Sequence, residues 1–388
     1  MTINLNRRAL IAGSLIGAGA LALPRMAFAQ GAGSRNLLFV LLRGAADGMA
    51  MLAPVGDPGL EALRGASLAD YDGAPRIGGF FAVHPALAEV AKAAQAGEAL
   101  FVHAAATGYR ERSHFDGQNL LETGGTVPYA TRDGWLNRLA ALLNEGAPAP
   151  LRALAIAQAV PLALRGDAPV SNYAPSALPS ASEDLLARVS QLYSADSELG
   201  PLWARALETK AMAGDDGLRN LNDARAAGEL AASLMREAGG ARIGMIELDG
   251  WDTHANQRGA FARSARGLDA LLAAYKAGMG AGWADTLVMV ATEFGRTARL
   301  NGTGGTDHGT AAAALIMGGG VRGGRVIADW PGLAANQLHE GRDLAPTTAL
   351  ESVLAGAMAE HWRLDPARAM ARLFPGRAGA PLSGLLKT

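Results

Sequence analysis

Apolar runs of strand length recur along this chain with helix-length segments between them, and that alternation limits the fold more than any other feature. The runs cover residues 36–42, 99–106, 151–157, 242–248, 286–291, 313–317 and 325–328. A strand that is apolar at nearly every position is covered on both faces, and a helical crossover returns the chain in parallel. The expected fold class is therefore α/β, a mostly parallel central sheet with helices on both faces. Helices are expected over 84–96, 113–122, 134–143, 181–193, 218–237, 257–279 and 347–360. With 49% apolar residues in 388, the chain can bury a large core. Residues 157–240 differ from the rest: an Ala-, Pro- and Ser-rich part, 161–179, leads into mostly helical sequence with no evident strand. This reads as a helical insertion or lid, or equally as a long crossover. No repeat or low-complexity linker divides the chain, so residues 30–388 are expected to form one domain.

Residues 1–29 read as an address. Arg7 and Arg8 precede an apolar, Gly- and Ala-rich run over 10–23, followed by Ala27-Phe28-Ala29. This resembles a bacterial twin-arginine export signal cleaved after Ala29. The run is short and Gly-rich for a membrane span, although an uncleaved anchor is the alternative. The expected location is periplasmic or extracellular, reached through the twin-arginine export machinery. With 35 basic and 36 acidic residues there is no electrostatic case for nucleic acid, and a small molecule or an envelope protein is the expected partner. Cysteine is absent, so any metal must use nitrogen and oxygen ligands.

Three segments rich in acids and histidine follow or adjoin the later runs: Asp249-Gly250-Trp251-Asp252-Thr253-His254, Glu293-Phe294-Gly295-Arg296 and Thr306-Asp307-His308-Gly309. A parallel sheet gathers such segments at one edge, as a metal site requires. Asp252 and His254 share one side of an extended segment and could bind a cation together, or the carboxylate could orient the ring. Glu293 could equally pair with Arg296. Asp307 and His308 lie in a Gly-rich loop that allows close backbone approach. Asp47 follows the first run and reads as a ligand or as a solvated Asp-Gly turn. Ser113 stands at an expected helix start, where a nucleophile and an ordinary N-cap look alike. Arg110 and Arg112 before it suit an anionic group, and His114 follows.

Together Arg43 to Gly48, Ser113-His114-Phe115, Gly134 to Arg138, Asp252-Thr253-His254 with Gln257, Thr292 to Thr297, and Gly305 to Gly309 followed by Gly318-Gly319-Gly320 resemble the domain of unknown function 1501. That family in turn resembles the alkaline phosphatase and sulfatase superfamily. The resemblance implies an alkaline-phosphatase-like fold and a metal-dependent hydrolase of phosphate or sulfate esters, with a divalent ion such as zinc. It implies Asp47, Asp252, His254, Glu293, Asp307 and His308 as metal ligands. Ser113 would be the nucleophile, with Arg112 and His114 beside it. The sequence also departs from that pattern: His254 is only two residues from Asp252, Asn256 stands four along, and Phe294 occupies the place of a ligand. A non-catalytic envelope binding or assembly protein on the same scaffold is the alternative.

Overall fold

The computed structural model describes residues 35–147, 150–175, 181–213, 223–237 and 239–387. The leader-like segment over 1–29 lies outside them. The strands are β1 (Asn36–Leu42), β2 (Leu52–Ala53), β3 (Arg76–Ile77), β4 (Phe81–Val83), β5 (Ala99–Ala106), β6 (Ala153–Ile156), β7 (Val170–Tyr173), β8 (Ile243–Leu248), β9 (Thr286–Thr292), β10 (Ala312–Met317), β11 (Val326–Ile327) and β12 (Thr348–Ala349). Among the described residues, nine form one sheet in the order β11-β5-β10-β9-β1-β8-β6-β7, with β12 also on β5. The centre, β9-β1-β8-β6, is parallel, while β10 runs antiparallel to both β9 and β5.

Side chains of a strand alternate between faces, and β1 divides accordingly. Leu38, Val40 and Leu42 join a core with residues of the helices Ala88–Gln95, Ala224–Arg236 and Gln257–Met279. Leu37, Phe39 and Leu41 join the opposite core, with Trp135–Asn144, Leu350–Trp362 and Pro366–Leu373. Every residue of β1 is buried, as its apolar run over 37–42 requires.

One expectation is corrected. The 157–240 stretch, which shows no strand in its sequence pattern, supplies β7, paired in parallel with β6 at the sheet edge. Its residues, Val-Ser-Asn-Tyr, are only partly covered, so an edge strand here carries no apolar signature. The small sheet of β2, β4 and β3 was also invisible, because strands of two or three residues are too short to show a period.

Candidate metal centre

The parallel strands β1, β8 and β9 end at one edge, and antiparallel β10 begins there. Segments 43–47, 249–254, 293–297 and 306–309 therefore meet. The 249–257 and 301–309 loops are laced together by Thr306 N–H to Thr253 O (3.0 Å) and Gln257 N–H to Gly304 O (2.8 Å). A β-carbon on Gly305 would lie 2.1 Å from the His254 carbonyl carbon, so only glycine permits this approach. Gly309 does the same beside Arg296.

Nε2 atoms of three histidines converge on one carboxylate. His254 Nε2 is 3.0 Å from Asp252 Oδ1 and 3.0 Å from His308 Nε2, and His308 Nε2 is 3.2 Å from the same Oδ1. His114 Nε2 is 3.4 Å from Asp252 Oδ2. Ligands about 2.0–2.1 Å from one tetrahedral ion stand roughly 3.3 Å apart, which these separations approximate. Within the group, ligand atoms of His114, Asp252 and His308 all fall within 4.8 Å of one another.

The other ring nitrogens are already committed. His114 Nδ1 meets Glu293 Oε1 at 2.8 Å, His254 Nδ1 meets Asp307 Oδ1 at 3.2 Å, and His308 Nδ1 meets the Arg112 carbonyl at 2.9 Å. Each of those partners is an acceptor, so each Nδ1 donates, and in the neutral ring Nε2 is left with its lone pair. His114 Nε2 is buried with no hydrogen-bond partner, the orphan that a cation would satisfy. These residues fit a divalent ion, and the His114, Asp252 and His308 group could hold one.

Electrostatics favour the same reading. Glu293 is fully buried; burial alone would raise its pKa, but hydrogen bonds from His114, Gln118 (3.0 Å) and the Gly44 amide (2.9 Å) hold it below the usual range. The hydrogen bond with Glu293 in turn raises His114. Burial opposes ionisation of Asp252 as well, and the Arg296 guanidinium at 2.6 Å overcomes it. Burial lowers His308. Hydrogen bonding from Asn301 lowers Asp307. Of the three carboxylates at this edge only Asp252 meets a guanidinium, that of Arg296, and Glu293 and Asp307 add uncompensated negative charge that attracts a cation.

The structure separates the residues that sequence grouped. Asp252, His254, His308 and His114 are brought together, whereas Glu293 and Asp307 stand behind the histidine rings. Asp47 does not join them. Its Oδ1 caps the Gly48–Met51 helix at Ala50 N–H (3.0 Å), and its Oδ2 accepts from Arg64 (2.6 Å) and Gln257 (2.7 Å). Arg64 also holds the carbonyls of Thr297 (2.8 Å) and Ala298 (2.6 Å), so this buried pair anchors the 293–298 turn. Arg296 pairs with Asp252, not Glu293. The Arg112 guanidinium turns away to Glu340 and Asp343. Ser113 occupies the N-cap position of the His114–Thr123 helix without capping it, and its backbone N–H donates to the Tyr109 hydroxyl at 3.2 Å. Phe294, which stands where the sequence pattern lacks a ligand, stacks on the His114 ring at 5.1 Å and so braces it. Gln118 and Phe294 were not foreseen in these roles, since their contacts join residues distant in sequence, 175 positions apart for Gln118 and Glu293.

Residues 79–374 match the family described as protein of unknown function, DUF1501. The chain belongs to that family. Among solved structures, this DUF1501 chain is similar to the alkaline phosphatase from the Antarctic bacterium TAB5, at 11% identity and a TM-score of 0.37, over 75% of this chain and 94% of that one. No functionally curated protein matches the sequence.

Proposed function

We propose that this DUF1501 protein is a metal-dependent hydrolase of phosphate or sulfate esters, exported to the cell envelope by its twin-arginine leader. The observation that carries the reading is the convergence of three imidazole Nε2 atoms, each with its Nδ1 committed elsewhere, on the Asp252 carboxylate. His114, His254, His308 and Asp252 would hold the ion, and zinc suits such a nitrogen and oxygen set. When bound, a divalent ion supplies Lewis acidity toward an ester oxygen. Glu293, Asp307 and the Arg112 carbonyl keep the rings turned, and Arg296 keeps Asp252 ionised.

Ser113 is the proposed nucleophile. Its hydroxyl is not spent on capping, and the N–H groups of the following helix turn favour developing negative charge. Attack of its oxygen on phosphorus or sulfur forms one ester bond and breaks the substrate's, and the alcohol leaves with the proton. Water then cleaves the seryl ester, releasing phosphate or sulfate and restoring Ser113. The engagement of Arg112 by Glu340 and Asp343 favours a second reading, a metal-holding envelope protein without catalysis.

Aryl phosphate and sulfate esters offered to the metal-loaded protein separate the two. Turnover is expected, and Ser113→Ala should lower it by about a thousandfold with metal content unchanged. Full activity in that variant removes Ser113 from the reaction, and absence of turnover in the wild type leaves the binding role.

A further inference from the structure

The geometry points to a second site: we propose that a basic hollow at the amino-terminal edge of the large sheet binds a small oxyanion of the phosphate class. The hollow, of about 500 Å³, lies between the start of β1, the start of β9, the end of the Leu350–Trp362 helix and the 384–387 segment. Arg35, Arg322, Arg363 and Lys387 line it, against Asp285 and Glu360. Both Glu360 oxygens are taken by the amides of Gly384 and Leu386, leaving Asp285 as the acid still open to the hollow. Lys387 Nζ donates to the Gly319 carbonyl at 3.1 Å. Among the described residues, the guanidinium groups of Arg35, Arg322 and Arg363 have no hydrogen bond or close ion pair.

Like charges are thus held around one space. Burial and then the nearby Arg363 push the Arg35 pKa down, and Asp285 only partly offsets them. His361 in the same wall is neutral, since burial lowers it to about 3 and its Nε2 is bound to the Asn36 carbonyl at 3.1 Å. A dianion would relieve this repulsion, and guanidinium forks match the oxygens of phosphate. The chain's own leader-like segment cannot supply the charge, because residues 1–34 contain no Asp or Glu and include Arg7 and Arg8. The hollow is also separate from the metal centre. Arg35 precedes β1 and Arg43 follows it, and a strand of that length spans roughly 20 Å or more.

Calorimetric titration of the whole protein with inorganic phosphate, at fixed ionic strength, tests the site. Saturable binding is expected, weakened about tenfold in Arg35→Gln and in Arg363→Gln. Phosphate binding that is absent, or that survives both arginine substitutions, overturns the proposal. Equal weakening by His308→Ala reassigns the anion to the metal centre. Binding to vesicles of anionic phospholipid without binding of free phosphate would also overturn it, in favour of a membrane surface.

Discussion

Whether a carboxylate ligates a metal or orients a histidine depends on which ring nitrogen it meets. Glu293 and Asp307 meet Nδ1 atoms, so they turn His114 and His254 inward. The sequence places both acids at the site but cannot separate the two roles, because Glu293 and His114 are 179 positions apart. His114 itself was legible only as the neighbour of Ser113 at a helix start. Asp47 misled for a related reason: an Asp-Gly step after a strand suits a ligand, an exposed turn or an N-cap, and only Arg64 folded against it decides. Replacing Glu293 by Gln keeps an oxygen for the His114 Nδ1 proton but removes the charge that makes the ring a strong donor. Divalent-ion affinity, measured by competition with a chromophoric chelator, should fall about 10–100-fold. Unchanged affinity would show that Glu293 does not orient the site.

At the level of elements, the buried strands were the most readable part. β1 and β5 follow the apolar runs residue for residue, because each is covered on both faces. β7 was unreadable because an edge strand needs no apolar face. Within β5, His103 is fully buried, donating from Nε2 to the Leu52 carbonyl (3.0 Å) and accepting the Ala104 amide on Nδ1 (2.8 Å), an arrangement that requires the neutral ring. Burial lowers its pKa from 6.5 to about 4. The unfolded chain therefore takes up this proton first as pH falls, so the contribution is complete above 6.5 and is lost progressively toward 4. Urea midpoints should fall across that window, with His103 contributing roughly 3 kcal/mol at most. The pH dependence should be shallower in His103→Gln, and an unchanged slope would contradict this assignment.

Across the whole molecule, one sheet separates two chemistries. Its carboxyl edge gathers histidines and carboxylates, and its amino edge gathers unpaired guanidinium groups. The composition conceals this, since 35 basic and 36 acidic residues nearly cancel over the whole chain. The gathering of 43–47, 249–254 and 293–297 at the carboxyl edge was legible because parallel strand direction fixes it, whereas 306–309 reaches that edge because β10 runs antiparallel. Which atoms face inward was not, because ring orientation depends on contacts between distant loops. Metal analysis of the purified protein, wild type beside His308→Ala, addresses that arrangement. About one divalent ion per chain is expected in the wild type, and none is expected in the variant, which should remain folded by circular dichroism. An ion retained in full by His308→Ala, or a wild-type protein that takes up no divalent ion when supplied with excess, would contradict the metal centre described above.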